Sequence, residues 1–432
     1  MILESGYKKR RDRLFKKLAK SSVALLFSAE ASTRSHDTHH PYRQDSNFYY
    51  LSGFKEDNAI LLFVKSSTKC KTILFVQKKE KTLELWNGKR LGVKEAKKLF
   101  LVDEVFASKD FKKVFDEYAQ KKKNLYFELN RKKLGIKKIV KSAKDFKTKQ
   151  DIIPLIQKMR LYKSAAEIEL IRESIAITAK AHHRVMSVEK TGKYEYHLQA
   201  EIEHEFKMNA AYSDAYTSIV ACGNNANTLH YIENSKPLID GELILIDAGC
   251  EHNYYASDIT RTIPVNGRFS DAQKEVYTLV LETQLQIIRM IKPFVKRSHL
   301  QESAERLLTK GMVDLGILSG DVKELIKKKK HKKYYPHGIG HWMGIDVHDP
   351  APYRDTKNQE ILLQKGMVLT IEPGLYIDAN DKNVPEKYRG IGIRIEDNIL
   401  VTKDGCENLS YAIAKSIKEV EAISSHRCSS IQ

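Results

Sequence analysis

Over residues 7–19 the apolar positions recur at helical intervals among lysines and arginines, a spacing that predicts a basic amphipathic helix. The period then changes. SVALLF (22–27), AILLFV (59–64) and KTILFV (71–76) are short apolar runs rich in β-branched and aromatic residues, and they predict strands. Helical spacing returns at 94–100 and 111–119, and NLYFEL (124–129) predicts another strand, so this part reads as an alternating α/β domain.

Residues 147–163, KTKQDIIPLIQKMRLYK, break the pattern and read as a polar, lysine-rich connector. Ser164 and Glu167 then form a capping box, serine at the cap and glutamate three residues on, which opens a long helix running towards Val188. The domain boundary is therefore placed near 163, giving domains 1–163 and 164–432. In the second domain, further helices are expected at about 271–292 and 298–315. Strands are expected at ELILIDAGC (242–250) with the segment after it, and at MVLTIEP (367–373) paired with GIGIRIEDNILV (390–401). The fold class is α/β, with α+β character.

Composition sharpens this picture. The chain of 432 residues is long for one domain, and 42% hydrophobic residues supply two sizeable cores. The net charge of +19 raises the question of an anionic partner. Its lysines, however, lie in short runs interleaved with glutamate, as on solvated helix faces, and no nucleic-acid-binding signature accompanies them, so no nucleic-acid partner is expected. Cys70, Cys222, Cys250, Cys406 and Cys428 are scattered without a CxxC spacing, which fits reduced thiols in a reducing compartment. No apolar run reaches the ~18 residues of a membrane span and the N-terminus lacks a signal-peptide core, so the expected location is the cytoplasm.

The informative residues are carboxylates set where strands should be apolar. Asp247 ends the run LILID, and Asp258 follows eleven residues later, an interval that suits a hairpin carrying both side chains to one face. Glu372 follows MVLTI, and in IGIRIED the alternation puts Ile393 and Ile395 on one face and Arg394 and Glu396 on the other. Four buried carboxylates need compensating cations, because an unpaired buried charge is costly. HGIGHWMGIDVHD (337–349) adds imidazoles. Gly338 and Gly340 argue against a helix there and for a loop or strand with close backbone approach, with His341 as the ligand and His337 and His348 beside it. Four carboxylates and one imidazole suit Mn²⁺, and accommodate Co²⁺, Fe²⁺ or Zn²⁺, better than they suit a thiolate zinc site. A carboxylate-bridged pair of such ions is a common hydrolytic arrangement.

These stretches, together with TLHYIEN (228–234) and, in the first domain, TRSHDTHHPYRQDSNFYYLSGF (33–54) and ELWNGKRLG (84–92), resemble the pita-bread metallopeptidases, and within them the aminopeptidase P group. The resemblance implies a small N-terminal α/β domain followed by a pita-bread catalytic domain of two α/β halves. It implies two divalent metal ions held by Asp247, Asp258, His341, Glu372 and Glu396, with Asp258 and Glu396 bridging. His230, His337, His348, Tyr376 and Arg394 match the remaining active-site positions. The activity implied is release of the first residue from peptides with proline second, by a bridging hydroxide, with Glu372 as the base or proton shuttle. His348 would stabilise the oxyanion, His230 would assist the leaving nitrogen, His337 would wall the proline pocket and Arg394 would brace the carboxylates beside Tyr376. A homodimer or homotetramer is also implied. Trp86 matches a tryptophan that can reach a neighbouring subunit's cleft, with packing at a strand end as the alternative.

Other conspicuous residues carry less. His197, Glu201, His204 and Glu205 sit in an amphipathic pattern with Leu198, Ile202 and Phe206, and their order is not that of a zinc-binding helix. His39-His40 and His182-His183 read as surface or core polar residues. Asp349-Pro350-Ala351-Pro352 departs from relatives that often carry a glycine near Ala351, which bears on the rim of the cleft. A proline dipeptidase using the same ligands is the rival enzyme, and a peptide- or histone-binding relative the non-catalytic one. Relatives of the latter kind typically lose the ligands that are all present here.

Overall fold

The computed structural model describes residues 2–129 and 146–425. The chain divides into two compact units, Met1–Met159 and Arg160–Gln432.

The first unit is built on a six-stranded mixed sheet in the order Glu104–Ala107, Cys70–Val76, Ile60–Lys65, Ser22–Phe27, Asn124–Phe127 and Thr148–Asp151. Ile60–Lys65 pairs antiparallel with both its neighbours, and the remaining pairings are parallel. The apolar runs are continuous rather than alternating because the inner strands are covered on both faces. Val23, Leu25, Leu62, Ile73 and Phe75 pack on one face against Phe111, Val114 and Phe115 of the helix Phe111–Ala119. The helix Glu4–Lys17 sets Phe15 edge-on to Phe63 of Ile60–Lys65.

Two expectations need correction. Residues 147–163 are not a plain connector: Thr148–Asp151 is an edge strand and Ile153–Arg160 a helix, with Ile152, Ile156 and Met159 buried. The exposed TKQD strand carries no apolar signal, and its backbone pairing alone makes it a strand. Trp86 does not pack at a strand end. It lies on the helix Lys81–Asn87, which buries none of its residues, and is 80% exposed.

The second unit contains two three-stranded antiparallel sheets of similar plan. One runs Ile219–Cys222, Leu243–Ala248, Ile259–Pro264, and the other Val368–Ile371, Asp397–Val401, Cys406–Asn408. The helix Ala165–Ser187 begins at the expected capping box, with the Ser164 N–H donating to Glu167 Oε2 at 2.9 Å. Ile177, Ala181 and Val185 of that helix, Leu198, Ile202 and Phe206 of Glu195–Met208, and Val276 and Val280 of Asp271–Met290 join Ile244, Ile246 and Ile263 in one core. A second core places Leu300 and Ala304 of Arg297–Asp314 against Trp342, Leu369, Ile371, Ile399 and Val401. Each such fully buried aliphatic side chain contributes roughly 1.5–3 kcal/mol relative to exposure.

The segment 390–401 is two strands rather than one. Gly392–Arg394 pairs with Gly374–Tyr376, whereas Asp397–Val401 pairs with Val368–Ile371. The break coincides on the partner side with Pro373, which has no N–H to give the ladder. At the break the Glu396 N–H leaves its own sheet and donates to Thr260 O of the other at 3.0 Å.

Candidate metal centre

Each sheet delivers two acids to one place. Asp247 is the penultimate residue of Leu243–Ala248, and Asp258 immediately precedes Ile259–Pro264. Glu372 immediately follows Val368–Ile371, and Glu396 immediately precedes Asp397–Val401. The sheets are stitched reciprocally at these points. Besides the bond from Glu396 to Thr260, the Asp258 N–H donates to Asn398 Oδ1 at 3.1 Å and the Asn398 amide returns a bond to Asp258 O. Tight turns make the approach possible. A Cβ on Gly249 would stand 1.9 Å from Ser257 O.

The segment carrying His341 is extended, as its glycines suggest, and runs along the edge of Val368–Ile371. The Thr370 N–H donates to His341 O and the Glu372 N–H to Ile339 O, both at 2.9 Å. Only glycine fits between them, because a Cβ on Gly340 would meet Thr370 O at 1.9 Å.

Asp247, Asp258, His337, His341, Glu372, Arg394 and Glu396 line a cleft of about 300 Å³, with His230 and His348 exposed at its mouth. Leu229, Ile232 and Val347 supply apolar wall. Tyr376 lies behind this surface and reaches it through its hydroxyl, 2.8 Å from His337 Nε2 and 2.8 Å from Arg394 Nη1, which donates to it. Arg394 also donates from Nη2 to Asp247 Oδ2 at 2.6 Å and from Nε to Thr260 Oγ1 at 3.1 Å. All ten residues singled out in the sequence therefore fall at one site.

Four residues that sequence reasoning missed complete it. The Tyr216 hydroxyl is 2.5 Å from both Asp247 Oδ1 and Asp258 Oδ1. Thr260 Oγ1 donates to Glu396 Oε2 at 2.7 Å, and Thr370 Oγ1 to Glu372 Oε1 at 3.1 Å. Asn398 holds the backbone of Asp258, as described above. Thr260 and Thr370 are ordinary β-formers within strands and Tyr216 lies in a bend before Ile219–Cys222, so residue type and position do not mark them.

The electrostatics match a site short of positive charge. Burial raises the pKa of Asp247 despite Arg394, and burial together with Asp258, Glu372 and Asp247 raises that of Glu396 well above the ordinary carboxylate range. Burial pushes Glu372 up to about 7, with His341 opposing and Asp258 reinforcing the push. Burial disfavours charge on His341, but Asp258 at 3.2 Å and Glu372 outweigh it and raise the imidazole to about 9. His337 is pulled down to about 3 by burial and by Arg394, and His348 is lowered by burial and by His341, whose ring lies 4.2 Å away.

The donor atoms fall into three overlapping groups within metal-ligand reach: Asp247, Asp258 and Glu396; His341, Glu372 and Glu396; and Asp258, His341 and His348. Asp258, His341 and Glu396 each belong to two of these groups. Hard oxygen donors with one or two imidazoles, and excess negative charge facing Arg394 as the one permanent cation lining the cleft among the described residues, fit divalent metal ions.

The discounted clusters contribute to none of the metal-ligand groups among the described residues. Arg184 bridges Glu201 and Glu205 at 2.6 and 3.1 Å on the amphipathic helix Glu195–Met208, and His39 and His40 are exposed. His182 is buried in the core, with Nε2 3.1 Å from Ile259 O.

Two families of known domains match this arrangement. Residues 169–403 match Metallopeptidase family M24, and residues 7–126 match the aminopeptidase P N-terminal domain. The chain belongs to metallopeptidase family M24, whose pita-bread fold the second unit has. With the N-terminal domain placed ahead of the catalytic one, it falls in the aminopeptidase P branch of that family. The Xaa-Pro aminopeptidase of Haemophilus influenzae is 43% identical over 415 residues, 96% of either chain, and that of Escherichia coli K12 is 41% identical over 98% of either. Human Xaa-Pro aminopeptidase 3 is 36% identical over 93% of this chain and 81% of its own. Zn-substituted Escherichia coli aminopeptidase P in complex with product superposes with a TM-score of 0.95 at 40% identity, each chain covered over 99%.

Proposed function

We propose that this protein is an Xaa-Pro aminopeptidase working through two divalent ions, Mn²⁺ by preference with Co²⁺, Fe²⁺ or Zn²⁺ accommodated. The observation that carries the reading is the overlap of the donor groups at Asp258, His341 and Glu396; one imidazole nitrogen serves one ion whereas a carboxylate has two oxygens, so Asp258 and Glu396 would be the shared ligands, with Asp247, His341 and Glu372 completing the set. Bound there, such ions supply Lewis acidity and lower the pKa of water.

The chain's own groups supply the rest. Asp247, fixed by Arg394, faces the free α-amino group of the peptide, which limits release to a single residue. Glu372, oriented by Thr370, takes the proton from the attacking water and passes it on. His348, neutral at pH 7, is placed at the mouth to donate to the oxygen that gains negative charge, the kind of pre-placed donor that lowers a barrier most. His230 contacts the departing proline nitrogen. His337, held by Tyr376, walls the proline pocket. Arg394 and Tyr376 hold Asp247 and His337 in register.

The helix Lys81–Asn87, with Leu85 and Trp86 both at least 80% exposed, supports a homodimer or homotetramer in which Trp86 reaches a neighbour's cleft. Cys70, Cys222, Cys250 and Cys406 are unpaired, which supports a reducing, cytoplasmic location. Among the described residues no helix is long and apolar enough to cross a membrane.

The test is to strip the protein of metal and assay Ala-Pro and Ala-Pro-Ala after adding Mn²⁺, Co²⁺ or Zn²⁺ separately. Metal-dependent release of alanine from the tripeptide is expected. Activity confined to the dipeptide would reassign the protein as a proline dipeptidase, and no cleavage under any metal would overturn the enzymatic reading.

A further inference from the structure

His348 and Val347 line the cleft from a loop that is anchored from beneath by buried charge. The Asp349 N–H donates to Trp342 O at 2.8 Å and closes the loop at its neck. Inside it, Arg160 Nη2 lies 2.6 Å from Asp346 Oδ2 and 2.5 Å from Asp349 Oδ1, while Lys163 Nζ lies 3.1 Å from Asp349 Oδ2. The side chains of Arg160, Lys163 and Asp349 are 2% exposed or less. Gly344 keeps the space open, since a Cβ there would stand 2.6 Å from Asp349 Oδ2.

One guanidinium thus grips the residues on both sides of Val347 and His348. Buried ion pairs of this kind give little net stability compared with apolar packing of the same volume, but their fixed, directional geometry can specify one conformation. In this cluster the cations Arg160 and Lys163 meet the carboxylates of Asp346 and Asp349. Its carboxylates belong to none of the metal-ligand groups among the described residues.

We propose that Arg160, acting through Asp346 and Asp349, is a positioning residue that holds the His348 ring in the place where it acts on the reacting peptide. This rests on the aminopeptidase reading above. Arg160 touches no substrate, and its effect passes entirely through the loop. The residues involved lie 186 and 189 positions apart in sequence.

The test is a double-mutant cycle on the Mn²⁺-loaded protein with Ala-Pro-Ala. Asp346→Asn removes one grip while leaving the buried contacts of Arg160 and Lys163 to Asp349. Arg160→Lys keeps the charge but, with a shorter side chain, withdraws the Nη2 group that reaches both carboxylates. In the parent, each is expected to lower kcat about tenfold with KM changed less than about twofold, the pattern of a lost transition-state contact. Metal content and thermal midpoint of Asp346→Asn should match the parent. In a His348→Ala background both substitutions should have no further effect. An unchanged kcat in the parent, or the same loss in the His348→Ala background, would overturn the proposal. Should Arg160→Lys fail to fold, Asp346→Asn alone decides. A parent that cleaves no peptide would instead refute the aminopeptidase reading.

Discussion

Glu396 and Asp397 are consecutive acids, both almost wholly buried, that enter opposite electrostatic surroundings. Asp397 meets Arg261 Nη2 at 2.8 Å, the Lys415 ammonium, the Asn408 amide at 2.8 Å and the Ser410 hydroxyl at 3.1 Å. Burial alone would raise its pKa, but Arg261 and Lys415 hold it well below the ordinary range. Glu396 meets Asp258, Glu372 and Asp247 and is driven the other way, with Thr260 as its side-chain donor. Where the fold needs a buried acid for itself, it supplies the cations. Where it prepares a place for metal ions, it gathers acids and leaves most of the compensation to the ions. Fold and catalysis are thus separated by a single step along the chain, from the residue at the strand break to the first residue of Asp397–Val401.

The comparison breaks if exchanging these two residues has the same kind of effect. Glu396→Ala should lower kcat/KM on the order of 10³-fold or more, because on the proposed reading it would remove a ligand shared by both ions and forfeit several kcal/mol of metal assistance. Asp258→Ala should do the same, and metal content by elemental analysis should fall in both. Asp397→Asn should act on stability instead, costing about 3–5 kcal/mol by leaving Arg261 and Lys415 under-compensated, while the folded fraction keeps its metal. Denaturant unfolding together with metal analysis separates the two results.

A smaller change sharpens the same contrast. Thr260→Val removes the hydroxyl that orients Glu396 and accepts from Arg394, so metal affinity should drop roughly 10–100-fold with little loss of stability. Titration of metal-free protein with Mn²⁺ measures it.

The smallest effect concerns pH. In the metal-free protein His341 titrates at about 9 against an ordinary value of 6.5, so between these limits the folded state binds more protons than the unfolded one. Glu372, at about 7, acts in the same direction at the lower end of that window. Stability of the chelated protein should therefore fall as pH rises from 6.5 to 9. His341→Gln should flatten that slope, and a thermal midpoint series across the window would detect its persistence.

Much of the site was legible because carboxylates interrupt apolar runs. Asp247 and Glu396 stand at positions where a strand alone would carry Ile or Val, and the glycines around His341 excluded a helix. Other features left no trace in composition. Thr148–Asp151 is polar and pairs only through its backbone. The split of 390–401 into two strands depends on where Pro373 meets it across the sheet. Tyr216, Thr260 and Asn398 gain their partners only when distant segments approach, and so does Arg160 with Asp349, whereas Thr370 reaches Glu372 only two residues on. Spacing reports which face a residue takes, whereas contacts made by folding the two sheets together lie beyond its reach.

The central claim is that two ions share Asp258 and Glu396, and its most direct test is electron paramagnetic resonance during Mn²⁺ titration of the metal-free protein. The account predicts saturation at two ions per chain, with a spin-coupled signal from a carboxylate-bridged pair that Glu396→Ala abolishes. Saturation at two ions with uncoupled spectra, or at one ion with full peptidase activity, would contradict it.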